Sequence, residues 1–111
     1  MSNVYKNAIY VPTTTANTTV YTCNATARAI IQNIQLTNGS GNHLVTAHVY
    51  SYSNSTTISV STTTLGSGDT CNLCKGPVIL QERDALLISA ASTVVVGIVS
   101  IMEVNRGTLV S

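Results

Sequence analysis

The chain has 111 residues, of which 8% are charged, and its formal net charge is +1. This length fits one domain with a single thin core. The small charge excludes the basic footprint of a nucleic-acid-binding domain and the basic segment of a membrane-surface protein, so we expect neither partner. So few charged groups also indicate a surface that is either covered by partner subunits or solvated by hydroxyl and amide groups.

The N-terminal segment lacks the apolar run of a secretory signal, since it contains Asn3, Lys6 and Asn7. The longest apolar stretch, residues 93–102, is too short to span a bilayer as a helix. We therefore expect a protein that is synthesised in the cytoplasm and does not insert into a membrane.

Period-two alternation and abundant β-branched residues predict short strands and no helix. The first half of the chain predicts a strand or extended arm at 3–11, a short strand at 20–23, a long strand at 29–37 and its hairpin partner at 44–52. Within the long strand, Ile30, Ile34 and Leu36 are predicted to share one face and Ile31 to lie on the other. Within its partner, one face is predicted to hold Val45, Ala47 and Val49, and the other Thr46, His48 and Tyr50.

The second half of the chain predicts strands at 56–64, 70–74, 78–80, 85–90 and 93–103, the last two as a closing hairpin. Ile58 and Val60 are predicted to point inward. These seven to nine short strands predict an all-β fold, a single antiparallel β-sandwich or jelly-roll-like domain. The predicted organisation is an N-terminal strand or arm over 1–19, the β-sandwich over 20–104 and a C-terminal tail over 105–111.

The last predicted strand is apolar on both faces. One face holds Val94, Val96 and Ile98, and the other holds Val95, Val99 and Ile101. An outer strand of a two-layer sandwich should be apolar on one face only, so we expect something to cover the second face. The cover is either the N-terminal segment, with Val4, Ile9 and Val11, or another subunit. We favour a subunit because so short a chain has little material for a third layer.

The five tyrosines are the only aromatic residues, and Tyr50 and Tyr52 are predicted to share a face with His48. Tyrosine serves both protein interfaces and sugar-stacking platforms, and it is also an ordinary residue of a strand face. All three interpretations stay open. Apolar and aromatic side chains are the candidates for an oligomer or partner interface, namely Val4, Ile9, Val11, Tyr50, Tyr52, Val95, Val99 and Ile101.

Cys71 and Cys74 form a CxxC motif, and Cys23 is a distant third thiol. A structural zinc site usually needs a second ligand pair, but His43 and His48 are five residues apart on a strand and point to opposite faces. A redox dithiol would need a helix start that is absent here. A disulfide from Cys23 to Cys71 or Cys74 is possible, but we favour thiols that pack as small apolar groups. No metal or cofactor is expected.

Catalytic patterns are also absent from the sequence. There is no Gly-x-Ser-x-Gly nucleophile elbow and no glycine loop that could cradle a phosphate. Glu82 and Asp84 flank Arg83 and are predicted to form a solvated turn. We therefore predict no catalytic residue and no enzymatic activity.

Two segments, VYTCNATARAIIQNIQLTNGSGNHLVTAHVY and PVILQERDALLISAASTVVVGIVSIMEV, resemble small virion proteins of tailed bacteriophages. The resemblance covers about residues 20–104, and its motifs are strand alternation and turn chemistry. The matching positions are Val20 to Thr22, Ala27, Ile34, Leu36 to Asn38, Val45 to Tyr50, Leu80, Glu82, Asp84 to Leu86 and Ser100 to Val104. The departures are the insertion at 71–74 and Arg83, where the pattern usually has glycine.

The resemblance implies a structural protein of the virion, made in the host cytoplasm and without catalytic residues. A capsid decoration (cement) protein is favoured over a neck, tail or baseplate component. The implied partner is the major capsid protein or another virion protein. The resemblance also implies a homo-oligomer, with a trimer favoured because capsid cement proteins commonly form trimers. A glycan-binding host-attachment module, built on the tyrosine face, is the alternative.

Overall fold

The computed structural model describes residues 2–74 and 76–105, and within these ranges the chain forms nine β-strands. The strands are β1 (Ser2–Tyr10), β2 (Thr18–Thr22), β3 (Ala27–Asn38), β4 (His43–Ser51), β5 (Thr56–Leu65), β6 (Thr70–Asn72), β7 (Val78–Leu80), β8 (Ala85–Ala90) and β9 (Val95–Asn105). Nowhere in these ranges is there a helix long and apolar enough to cross a membrane. The predicted C-terminal tail beyond Asn105 lies outside the described residues.

The strands form two antiparallel sheets that pack as a β-sandwich, which confirms the predicted fold class. The five-stranded sheet has the order β1-β9-β3, with β6 and β7 both paired to the far side of β3. The four-stranded sheet has the order β2-β8-β4-β5. The edges of the sandwich are therefore β1 and β2 on one side, and β5, β6 and β7 on the other.

The two predicted hairpins do not form. β3 and β4 lie in different sheets, and so do β8 and β9, so both connections cross from one layer to the other. Backbone hydrogen bonds join the two connections and the strand end beside them. The Gly39 amide donates to Val94 O, and the Ala91 amide donates to Leu44 O. Two strands joined by a short turn predict a hairpin when only the local sequence is considered. Here the chain passes to the opposite sheet instead, so that the apolar faces of both strands are buried in the core.

The core lies between the inner faces of the two sheets. Its largest fully buried side chains are Tyr10, Ile31, Ile34, Leu36, Leu73, Leu80, Leu86, Ile88, Ile101, Val45, Val95 and Val99. On β4, Val45, Ala47 and Val49 face inward as predicted. Each buried aliphatic side chain contributes about 1.5–3 kcal/mol, so this set is the main source of stability.

A β-bulge between Ile31 and Asn33 changes the phase of β3. Before the bulge the odd-numbered residues face the core, and after it the even-numbered residues do, so Ile31, Ile34 and Leu36 are all buried. Ile30 lies on the outer face instead. The prediction that Ile30 shares a face with Ile34 was wrong because simple alternation does not anticipate the extra residue.

Ile58 and Val60 were predicted to point inward, but they are 54% and 37% exposed. Ile58 pairs with the buried Val49, so it lies on the core-facing side of β5 at an uncovered edge. Val60 lies where the register of β5 shifts, between the pairs Ala47–Ser61 and His48–Ser59. An edge strand has a neighbouring strand on one side only. Its apolar side chains are therefore less buried than the alternation of apolar and polar residues predicts.

Candidate functional site

Exposed apolar side chains lie on several strands of the outer face of the five-stranded sheet. One row crosses four strands, because Tyr5 of β1 pairs with Met102 of β9, Met102 with Ile30 of β3, and Ile30 with Ile79 of β7. Tyr5 is 74% exposed and Ile79 is 62% exposed. Residues directly opposite each other on antiparallel strands project to the same side, so this row forms one continuous apolar band.

A second apolar group lies toward the other end of the same face. Ile9 of β1 pairs with Ile98 of β9, and Val96 follows on the same side of β9. Val11 and Val94 are exposed in the loops next to this group. Isolated exposed aliphatic residues are ordinary on protein surfaces, but contiguous apolar patches mark sites of interaction.

A polar stripe separates the two apolar groups. Asn7 of β1 pairs with Ser100 of β9, and Ser100 pairs with Asn33 of β3. The stripe therefore runs across three strands, perpendicular to them and near the middle of β9. Amide and hydroxyl groups each donate and accept hydrogen bonds, so this stripe can bond to a polar partner of almost any kind.

Charge is almost absent from this outer face. Arg28, which pairs with Val104 at one corner, is the single charged residue that the strand register places on it within the described ranges. Arg28 Nε lies 3.4 Å from Glu82 Oε1, at the surface. The remaining positions on β3 and β6 are polar but neutral, namely Gln35, Thr37, Thr70 and Asn72.

The structure corrects the choice of interface residues on β9. Val95, Val99 and Ile101 are at most 1% exposed and belong to the core. The side of this region that can meet a partner holds Val94, Val96 and Ile98, each 39–40% exposed. The alternation had separated the two sets correctly, but nothing in it distinguishes the inner set from the outer one.

The N-terminal segment does not cover the second face of β9. β1 instead pairs edge to edge with β9 and extends the sheet, with register from Ser2–Asn105 to Tyr10–Gly97. Ile9 thus adds to the exposed apolar surface, whereas Val4 lies opposite the buried Glu103 on the core-facing side. Tyr5, Ile30, Ile79 and Met102 were missed as candidates, although period-two spacing already placed Tyr5 and Ile9 together.

The outer face of the four-stranded sheet has the opposite character, because hydroxyl groups dominate it. His48 lies between two serines, with Nε2 3.0 Å from Ser89 Oγ and Nδ1 3.2 Å from Ser59 Oγ. Thr46 Oγ1 lies 3.1 Å from Thr62 Oγ1. Burial lowers the pKa of His48. This polar face is what a water-exposed sheet surface normally presents.

Tyr50 and Tyr52, which were predicted to share a strand face, have different surroundings in the structure. Tyr50 is half-buried on β4, paired with Ala85, whereas Tyr52 lies in the turn after β4. The Arg83 guanidinium carbon lies 5.1 Å from the centroid of the Tyr52 ring, and Arg83 also donates to the Tyr52 hydroxyl at 3.2 Å. One face of the Tyr52 ring is therefore already occupied by a cation, as in cation–π pairs.

The turn at residues 81–84 is not the solvated turn that was predicted, because Asp84 is buried. Its carboxylate accepts hydrogen bonds from the backbone amides of Tyr52 and Gln81, each at 3.0 Å. Arg83 has a φ of 71°, a left-handed conformation that glycine adopts most readily. Asp84 thus holds two loops together, and Arg83 lies between them in a backbone conformation that favours glycine.

A buried polar cluster that the sequence did not reveal lies at the β1–β2 side of the sandwich. Glu103 is 6% exposed. It accepts a hydrogen bond from the Tyr21 hydroxyl, and its Oε1 lies 3.4 Å from Lys6 Nζ. Burial, followed by the hydrogen bond to Glu103, raises the pKa of Tyr21. Buried charge requires such partners, so the cluster has a structural explanation.

The cysteines and histidines are not gathered into a metal site. Cys23 is buried, and its thiol donates to Ala27 O at 3.2 Å. Cys74 donates to Ile31 O at 3.2 Å, while Cys71 is half-buried opposite Leu36. His48 lies on the outer face of the other sheet. Among the described residues no group of three or more metal-binding side chains occurs.

No protein-family model and no curated protein matches the chain. Among solved structures, it is similar to a chain reported under the description of Bacillus endospore appendages as a novel family of disulfide-linked pili, with a TM-score of 0.42 and 13% identity over 94% of this chain and 85% of that one. A chain of infectious bursal disease virus Gt strain gives a TM-score of 0.38 and 10% identity, over 97% of this chain and 31% of that one. At these scores neither likeness bears on function.

Proposed function

We propose that this protein is a non-enzymatic structural subunit of a larger protein assembly. The observation that carries this proposal is the outer face of the five-stranded sheet, where two apolar groups lie exposed and where Arg28, at one corner, is the single charged residue among those that the structure describes. Subunits that remain free in solution normally avoid such a face, whereas assembled subunits bury it.

The finer proposal is a virion protein of a tailed bacteriophage, most simply a capsid decoration protein that stabilises the shell. Its support is the sequence resemblance over residues 20–104, together with the exposed apolar outer face of the five-stranded sheet, which a partner would bury. The major capsid protein is the proposed shell partner. The resemblance favours a trimer over the junctions between capsid subunits, and that symmetry stays a prediction.

Binding to the assembled particle tests this function directly. We expect the purified protein to co-sediment with particle shells that lack it and to raise the temperature at which those shells open. A protein that never co-sediments with shells would sink the decoration role.

The number of copies in purified particles separates the two structural roles. A decoration protein covers the shell and is present in hundreds of copies, whereas a neck, tail or baseplate component is present in few. Quantitative mass spectrometry against the major capsid protein gives this number. A low copy number would keep the structural function and move it to the neck or tail.

A further inference from the structure

We propose that the outer face of the five-stranded sheet binds a second copy of the same chain, sheet against sheet, across a two-fold axis. This inference rests on the proposed function, since it names the occupant of the same face, and it replaces the trimer that the resemblance favours with a two-fold pair. Packing of this kind places two antiparallel sheets about 10 Å apart with their side chains interdigitated, as in the interior of a β-sandwich.

The size of the face suits a stable pair. β1, β9 and β3 have nine, eleven and twelve residues and lie side by side, with β6 and β7 beyond them. Four strand positions about 4.8 Å apart and ten residues at about 3.3 Å each give roughly 600 Å² of flat area. Side-chain relief adds to this value, which brings it near the roughly 800 Å² per partner of a standard interface.

The polar stripe of Asn7, Ser100 and Asn33 makes the face complementary to itself. A two-fold axis that lies in the interface and passes near Ser100 places the stripe of one copy over the stripe of the other. This holds whether the axis runs along the strands or along the stripe. Because each amide and hydroxyl both donates and accepts, two identical stripes can satisfy each other inside the interface.

The apolar groups on either side of the stripe then meet apolar surface of the second copy. With the axis along the strands, the group containing Ile9 and Ile98 meets its own copy. With the axis along the stripe, it meets the band that contains Tyr5 and Ile79. Both arrangements bury apolar atoms, so the pattern selects a two-fold pair without requiring one particular orientation.

Charge also favours a second copy over a charged partner. Like charges brought together in an isologous interface repel. Of the residues in the described ranges, this face has one that is charged, Arg28, at a corner where it is already 3.4 Å from Glu82. A nucleic acid or an acidic protein would find no basic cluster here to bind. The same face of a second copy is nearly uncharged, so it can pack against this face with little electrostatic cost.

Analytical ultracentrifugation of the full chain over a range of concentrations tests the pair. We expect a species of twice the monomer mass, which is 11.6 kDa. We also expect Ile98→Lys to weaken association at least tenfold, about the effect of removing a central interface side chain. Tyr5→Lys is a second variant for the same face, chosen because Tyr5 is 74% exposed and its substitution spares the core. Thr57→Lys, on the other sheet, should keep the dimer.

Circular dichroism and thermal unfolding confirm that each variant is folded before its mass is interpreted. A wild-type chain that is monomeric throughout, a trimer, or a dimer that survives both Ile98→Lys and Tyr5→Lys would each overturn the two-fold pair. The outcome is separable from the proposed function. A monomer that still co-sediments with shells removes the pair and keeps the function, and a dimer that binds no shell does the reverse.

Discussion

The Tyr21 hydroxyl donates a hydrogen bond to Glu103 Oε2 and so joins β2 of the four-stranded sheet to β9 of the five-stranded sheet. Tyr10, also in the core, has a buried hydroxyl that makes no hydrogen bond to any described residue. The two tyrosines therefore offer opposite tests of what a buried hydroxyl contributes.

Tyr21→Phe is expected to lower the free energy of unfolding by about 1–3 kcal/mol, because it leaves a buried carboxylate with one partner fewer. Tyr10→Phe is expected to be neutral or stabilising, since it removes a polar atom that was buried without a partner. Urea unfolding at neutral pH measures both. Equal losses in the two variants would contradict the assigned role of the Tyr21 hydrogen bond.

The raised pKa of Tyr21 predicts a loss of stability at high pH. In the unfolded chain a tyrosine ionises near pH 10, whereas in the folded chain Tyr21 keeps its proton to higher pH. The stabilisation is therefore complete below about pH 10 and declines as the pH rises toward the folded-state pKa. Unfolding midpoints between pH 8 and pH 11 should fall more steeply for the wild type than for Tyr21→Phe.

His48 predicts a loss of stability on the acidic side. Burial lowers its pKa in the folded chain, so as the pH falls below about 6.5 the unfolded chain takes up the proton first. The stabilisation is present above that pH and is lost as the pH falls through the folded-state pKa. His48→Gln should flatten the stability profile between pH 7 and pH 5, and an unchanged slope would contradict this role.

Gly97→Ala is expected to destabilise the protein by about 3 kcal/mol, the upper end for overpacking. A Cβ at Gly97 would collide with the carbonyl oxygen of Gln35 and with Leu36 Cδ2, on the neighbouring strand β3. Gly76→Ala is the matched control, because its Cβ would meet nothing within 4 Å. Thermal unfolding compares the two variants, and a Gly97→Ala protein as stable as the control would show that β3 can move away.

Arg83 allows the backbone cost of its φ of 71° to be separated from its contact with Tyr52. Arg83→Ala loses the contact and keeps the left-handed strain, whereas Arg83→Gly loses the contact and relieves the strain. We therefore expect the glycine variant to be more stable than the alanine variant by about 1 kcal/mol. An alanine variant at least as stable as the glycine variant would contradict this reasoning.

Asn38 is fully buried and organises the loops at one end of the sandwich. Its Nδ2 donates to Gly41 O, Leu65 O and Gly66 O at 2.5, 3.0 and 3.1 Å. Asn38→Asp places a carboxylate against these carbonyl oxygens, so we expect a loss of about 3–5 kcal/mol at neutral pH. The exposed Asn54 gives the control, since Asn54→Asp should change the unfolding free energy little. Chemical unfolding at pH 7 measures both.

The strands and much of their alternation could be predicted from the sequence, since period two and β-branched residues are local signals. β4 illustrates this, with Val45, Ala47 and Val49 facing the core as expected. The crossings of β3–β4 and β8–β9 between sheets could not be predicted, because the layer to which a strand belongs depends on long-range burial. For the same reason, the sequence could not show which face of β9 lies in the core, because both faces are apolar.

The buried polar residues also escaped sequence reasoning. Glu103 and Asp84 are two of the four acidic residues of the chain, and acidic residues usually lie at the surface of a protein. Their burial depends on partners far away in sequence, Tyr21 for one and the Tyr52 amide for the other. Asn38 and Asp84 both hold loops in place through buried hydrogen bonds to distant backbone groups, a role that no local sequence pattern indicates.

The bulge in β3 also bears on how this chain tolerates insertions and deletions. Because Gln32 is the residue without a partner position on β9, its removal would leave Ile31 opposite Ile101 and Asn33 opposite Ser100 with nothing between them. The strand would then alternate without interruption, and both Ile31 and Ile34 would still face the core. We therefore expect the deletion of Gln32 to be tolerated, as length changes in the exposed loop at 13–17 should be, whereas an insertion beside Ile34 would turn the residues after it away from the core.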